Sequence, residues 1–93
     1  MKKILIVDDD ADILDLVGIL LPTYGFTIKK VINGEDVLKQ AGIFNPDLIL
    51  LDINISGDGK EICKELKSPR SLFKNVPVVL FSGAFNLEEQ MAE

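Results

Sequence analysis

Three short apolar runs, each closed by an acidic or hydroxyl residue, constrain this chain more than any other feature. They are Ile4-Leu5-Ile6-Val7 before Asp8-Asp9-Asp10, Leu48-Ile49-Leu50-Leu51 before Asp52, and Val78-Val79-Leu80-Phe81 before Ser82. An unbroken apolar run of this length predicts a strand buried on both faces, as in a parallel sheet covered by helices. Ligands of open α/β sheets collect in the crevice outside the carboxyl ends of the strands. The three runs therefore deliver Asp8, Asp9, Asp52 and Ser82 to one rim.

Between the runs the pattern alternates strand and helix, which implies parallel βαβ units with right-handed crossovers. The first strand is expected over residues 3–7. Asp10 then caps a helix running to about Tyr24, with Ile13, Leu14, Val17, Leu20 and Leu21 inward. Gly25 ends that helix, and residues 26–31 form a second strand. Asn33-Gly34 opens a helix over 35–42, with Val37, Leu38 and Ala41 inward. The Asn45-Pro46 pair marks a loop before a third strand over 47–51. A turn at Ser56-Gly57-Asp58-Gly59 leads to a helix over 60–67, with Ile62, Cys63 and Leu66 inward. The fourth strand covers 76–81, with Pro77 at its start, where a missing donor is tolerated. Asn86-Leu87-Glu88-Glu89 has the form of a capping box and starts a last helix.

Composition narrows the function classes. A chain of 93 residues is one small domain, and 47% hydrophobic with 27% charged residues is ordinary for a globular protein. The net charge of −5 argues against a nucleic-acid surface, because phosphate binding needs clustered positive charge. The basic pairs Lys2-Lys3 and Lys29-Lys30 flank strands and read as solvated ends. The single Cys63 sits at an apolar helix position, can form no internal disulfide, and suits a reducing cytoplasm. No signal peptide and no membrane-spanning stretch is expected. The chain has no His, so imidazole acid–base chemistry cannot come from its own residues.

Clustered carboxylates repel one another unless a cation compensates them. Mg2+ suits the rim, since it binds through one or two carboxylates, water and phosphate oxygens; Mn2+ can take its place. Asp9 and Asp52 are expected as direct ligands, with Asp8 acting through water or orienting Asp9, and the backbone carbonyl near Asn54 adding an oxygen. A carboxylate beside such a cation can also be a phosphoryl nucleophile. Asp52, central and behind an unbroken apolar run, is the candidate, and Ser82 could donate its hydroxyl to a phosphoryl oxygen. Asp10 reads as a plain helix cap.

These residues resemble the receiver domain of two-component response regulators. The segment Ile4-Leu5-Ile6-Val7-Asp8-Asp9-Asp10 is similar to the family's first strand and acidic pair. Asn45-Pro46-Asp47-Leu48-Ile49-Leu50-Leu51-Asp52 resembles its third strand and phospho-acceptor, Asp58-Gly59 its third helix start, and Val76 to Gly83 its fourth strand with a switch hydroxyl. The resemblance implies a flavodoxin-like, doubly wound α/β sheet of order 2-1-3-4(-5). It further implies that Asp52 takes a phosphoryl group from a histidine kinase or histidine phosphotransfer protein, that Asp8 and Asp9 hold Mg2+, and that Ser82 biases a surface near the fourth strand and helix. Such a domain catalyses only its own phosphorylation and dephosphorylation.

Two departures stand out. Ser56 occupies a position where the family usually has Pro, and one residue is missing between Gly57 and Asp58. No residue matches the Lys and aromatic of the family's fifth βα unit, so 1–93 reads as a receiver domain incomplete at its C-terminus. The expected consequences are an open fourth-strand edge that invites dimerisation, weak Mg2+ binding and poor phosphoryl acceptance. The alternatives are a receiver-like binding module that is never phosphorylated, and a Mg2+-dependent phosphatase of the haloacid dehalogenase type. The first is opposed by the retained Asp8, Asp9, Asp52 and Ser82. The second wants an acid two residues after the nucleophile, where this chain has Asn54.

Overall fold

A computed structural model describes residues 2–55 and 58–81. Its elements run in the order β1 (Lys3–Val7), α1 (Ala11–Thr23), β2 (Thr27–Val31), a 3-10 turn (Gly34–Asp36), α2 (Val37–Phe44), β3 (Leu48–Asp52), α3 (Gly59–Leu66) and β4 (Val78–Phe81). The strands form one parallel sheet of order β2-β1-β3-β4. The chain steps one way from β1 to β2 and the other way from β2 to β3 and β4. Right-handed crossovers therefore send α1 to one face and α2 and α3 to the other.

Alternation along the strands gives each face its own core. Leu5, Val7, Ile49 and Leu51 pack with Val37 and Ala41 of α2, Ile62 and Leu66 of α3, and Phe73. Ile4 and Ile6 pack with Leu14 of α1 and the half-buried Val17, Leu21, Phe26, Ile28, Leu48 and Leu50. Both faces of the central strands are covered, which is why they read as continuous apolar runs.

The expected elements are all present within the described residues, with shifted ends. β2 and β4 start later than expected, at Thr27 and Val78, and β3 extends one residue further, to Asp52. The second helix opens as a 3-10 turn in which the Val37 N–H donates to Gly34 O, and Asn33 caps it by accepting from the Asp36 N–H at 3.0 Å. Leu20 and Leu38, expected inward, are exposed. Leu14, Val17 and Leu21 define the buried stripe of α1, and Val37, Ala41 and Phe44 that of α2; Leu20 and Leu38 lie about a quarter-turn away from those stripes. Residues 86–89, expected to start a helix, lie outside the described residues.

Helix ends are chemically specified. Asp10 Oδ1 accepts from the N–H groups of Asp12 (2.9 Å) and Ile13 (3.4 Å), capping α1 as expected. At the other end Gly25 (φ 88°) donates to Pro22 O at 3.0 Å, and Phe26 N–H to Leu21 O at 3.4 Å, the paired bonds of a Schellman cap. A Cβ on Gly25 meets nothing within 4 Å. Gly25→Ala is thus expected to cost about 1 kcal/mol from backbone conformation alone. Gly42, inside α2 and equally open, should gain roughly 0.5–1 kcal/mol on change to Ala. Urea unfolding of the two variants checks this opposition of sign.

Two features bear on surfaces. Lys3 and Asp47 clasp the start of the sheet, Lys3 N–H donating to Asp47 Oδ2 and Asp47 N–H to Lys3 O, both at 2.8 Å. Beside α1, an open apolar groove of about 570 Å³ runs over the sheet, lined by Ile13, Leu16, Val17, Ile6, Leu50, Val79 and Phe81. Among the described residues β4 is a sheet edge, and no helix is long and apolar enough to cross a membrane.

Candidate metal and phosphoryl site

β1 ends at Val7, and the Asp8 N–H still donates to Val31 O at 3.0 Å, so Asp8 is held by the sheet although it lies beyond the strand. Its side chain has no solvent exposure. Asp9 follows in the bend and is exposed, and Asp10 belongs to the helix cap. On the neighbouring strand Asp52 is the last residue of β3 and is only 2% exposed. One carboxylate oxygen each from Asp8, Asp9 and Asp52 lie within 4.8 Å of one another.

The same local device aims both buried acids. The Asp10 N–H donates to Asp8 Oδ1 at 2.9 Å, and the Asn54 N–H donates to Asp52 Oδ1 at 2.9 Å. In each case a carboxylate accepts from the amide two residues on, bending the chain away from the strand and turning the acid into the rim. Asp8 Oδ2 is buried and accepts no hydrogen bond. Burial pushes the Asp8 carboxyl above its ordinary value; the Asp10 N–H opposes this, and neighbouring Asp52 and Asp9 add to it.

A buried oxygen without a donor, in a cluster of like charges, is costly unless a cation completes it. The donor set consists only of hard oxygens, and its exposed member, Asp9, leaves one side open to water and ligand. That set fits Mg2+ or a similar hard divalent ion. The expected grouping of Asp8, Asp9 and Asp52 is therefore present. Asp8 also brings a buried oxygen, Oδ2, that accepts no hydrogen bond.

The other expected site residues are less closely defined. Asn54 lies in the turn after β3, exposed, with its N–H on Asp52. The strand register pairs Asp52 with Phe81, and the Ile53 N–H donates to Phe81 O at 2.8 Å. Ser82 and the Ser56-Gly57 loop lie outside the described residues. The sequence reading missed the paired amide brackets and the close packing of Gly59 under the end of β3. The only sequence sign of the latter is a glycine at the first position of a helix.

The comparisons with known proteins agree with this geometry. The family model described as "Response regulator receiver domain" matches residues 4–93. The alkaline phosphatase synthesis transcriptional regulatory protein PhoP of Bacillus subtilis is 40% identical over 83 residues, covering 88% of this chain and 33% of PhoP. Among solved structures, the chemotaxis response regulator CheY4 of Vibrio cholerae superposes with a TM-score of 0.82 at 26% identity, covering 98% of this chain and 76% of CheY4. The BeF3-activated N-terminal receiver domain of Klebsiella pneumoniae RstA gives 0.78 at 25% identity, covering 98% and 75%. The chain thus spans about a third of the length of PhoP. Receiver domains pair with histidine kinases and are not conventional enzymes. With four parallel strands among its described residues and the acidic pocket of Asp8, Asp9 and Asp52, this chain belongs to the response regulator receiver domain family.

Proposed function

We propose that residues 1–93 form one receiver unit in which Asp52 accepts a phosphoryl group, making the domain a signalling switch. The observation that carries this is the setting of Asp52: nearly buried at the end of β3, bracketed by the Asn54 N–H, and grouped with Asp8 and Asp9. A histidine kinase or histidine phosphotransfer protein is the donor, supplying the imidazole this chain lacks. The P–N bond of the donor breaks as a P–O bond to the Asp52 carboxylate forms. The leaving imidazole nitrogen keeps the electron pair and takes a proton from solvent.

Asp8, Asp9 and Asp52, with the Asn54 carbonyl, would hold Mg2+. When bound, the ion neutralises charge on the phosphoryl oxygens and screens the approach of one anion to another. The chain's own residues do the positioning. The Asn54 N–H fixes the plane of the Asp52 carboxylate, the sheet fixes Asp8, and Asp9 faces the open side. Ser82 would donate to a phosphoryl oxygen and relay occupancy to the surface beyond β4.

Intact mass after incubation with acetyl phosphate tests this reading. A single phosphoryl adduct is expected with Mg2+, little with EDTA, and none with Asp52→Asn; an adduct that survives Asp52→Asn contradicts it.

A further inference from the structure

Gly59 is the first residue of α3, and it is buried. Its N–H donates to Ile53 O at 3.3 Å. A Cβ built there stands 2.5 Å from Asp52 O, 2.6 Å from Ile53 Cα and 3.0 Å from Ile53 C. All three are backbone atoms at the end of β3 and cannot swing aside. Gly18 is a useful contrast: its Cβ would meet the far end of Lys30, with Nζ at 2.6 Å, which can simply move.

What the backbone of α3 presses on is the turn that holds the phospho-acceptor. Asp52 O accepts from the Ile55 N–H at 3.2 Å, and Asp52 Oδ1 accepts from the Asn54 N–H at 2.9 Å. The Asp58 N–H in turn donates to Ile55 O at 3.1 Å. Asp58 itself sits at φ 63° and caps α3 by accepting from the Lys60 N–H at 3.1 Å. The 53–55 turn is therefore clamped between the strand it leaves and the helix it faces.

We propose that Gly59 is a positioning residue: by letting α3 touch the backbone of Asp52 and Ile53, it fixes the 53–55 turn and so the Asp52 carboxylate. This rests on the phospho-acceptor reading of Asp52. A methyl group at Gly59 forces the turn or the helix to give by about 1 Å before ordinary contact returns. Functional constellations tolerate roughly 0.5 Å, and a 1 Å displacement can cost about 100-fold in rate.

The test compares the unsubstituted chain with Gly59→Ala, and uses Gly25→Ala as a variant that loses stability far from the site. The measurements are Mg2+ titration of the Asn54 amide by NMR, thermal melting, and the rate of adduct formation from acetyl phosphate. Gly59→Ala is expected to raise the half-saturating Mg2+ concentration about tenfold or more and to slow labelling about 100-fold. Gly25→Ala should melt earlier with both quantities native. If Gly59→Ala keeps native Mg2+ affinity and labelling rate, the inference is overturned while the phospho-acceptor reading stands. If Gly59→Ala does not fold, the unsubstituted chain decides: the Gly59 amide should shift with the Asn54 amide at the same half-saturation, and a silent Gly59 amide overturns the inference. No Mg2+ response at Asn54 in the unsubstituted chain overturns both.

Discussion

Replacing Asp8 with Asn is expected to raise the melting temperature of the Mg2+-free chain while removing most of its response to Mg2+. Asp8 is fully buried beside two other carboxylates, and its Oδ2 accepts no hydrogen bond. An Asn there can keep the Asp10 N–H on its oxygen and offer a donor toward Asp52. Removing one buried like charge should yield about 0.5–2 kcal/mol, or several degrees in a domain of this size. The unsubstituted chain should recover that difference only when Mg2+ is added, since a ligand that binds the folded state stabilises it by mass action.

The pH dependence has a definite sign. The folded-state pKa of Asp8 lies above the ordinary 3.8, so the native state holds this proton more tightly than the unfolded chain does. Protonated Asp8 contributes stability below the ordinary value, and that contribution is lost as pH rises through the folded pKa. The stability difference between Asp8→Asn and the unsubstituted chain should therefore be small in acid, grow above about pH 3.8, and level off once Asp8 is ionised. Denaturant titrations across that range in EDTA check it. A difference that shrinks with rising pH contradicts the assigned burial cost.

Leu66→Ala should have the largest effect on stability. Leu66 is completely buried at the last turn of α3, in the core shared with Leu51, Ile55, Ile62 and Phe73. Truncating such a leucine costs about 2–5 kcal/mol, depending on how far the cavity collapses. Small domains have only about 5–15 kcal/mol in total, so the variant should be partly unfolded near body temperature. Leu38→Ala, on the exposed side of α2, should change stability by less than about 0.5 kcal/mol. Chemical denaturation of the pair tests whether the helix faces are those described.

The contrast between these leucines shows how far the sequence can be read. The central strands were legible because both their faces are covered, so burial wrote itself as unbroken apolar runs ending at Val7 and Leu51; β4 carries a similar run although Val79 and Leu80 are exposed among the described residues. The rim acids were legible for the same reason, since each sits at or just past the end of such a run. The helix faces were less so, because α1 and α2 carry more leucine and isoleucine than their buried stripes need. Leu20 and Leu38 satisfy a generous helical period and still point outward. The 3-10 opening of the second helix rests on the Val37 N–H bonding Gly34 O, a local choice of partner that no periodicity records. The brackets on Asp8 and Asp52, the unsatisfied Asp8 Oδ2 and the contact at Gly59 are tertiary facts. They follow from where two strands and a helix meet.

The most direct test of the switch reading is to locate the phosphoryl group. The chain is labelled with acetyl phosphate and Mg2+, reduced with borohydride, which converts an aspartyl phosphate to homoserine, and mapped by peptide mass spectrometry. Homoserine at position 52 alone, absent when Mg2+ is withheld, is the expected result. Label at Asp8, Asp9 or any other residue, or no label in a chain that binds Mg2+, contradicts it.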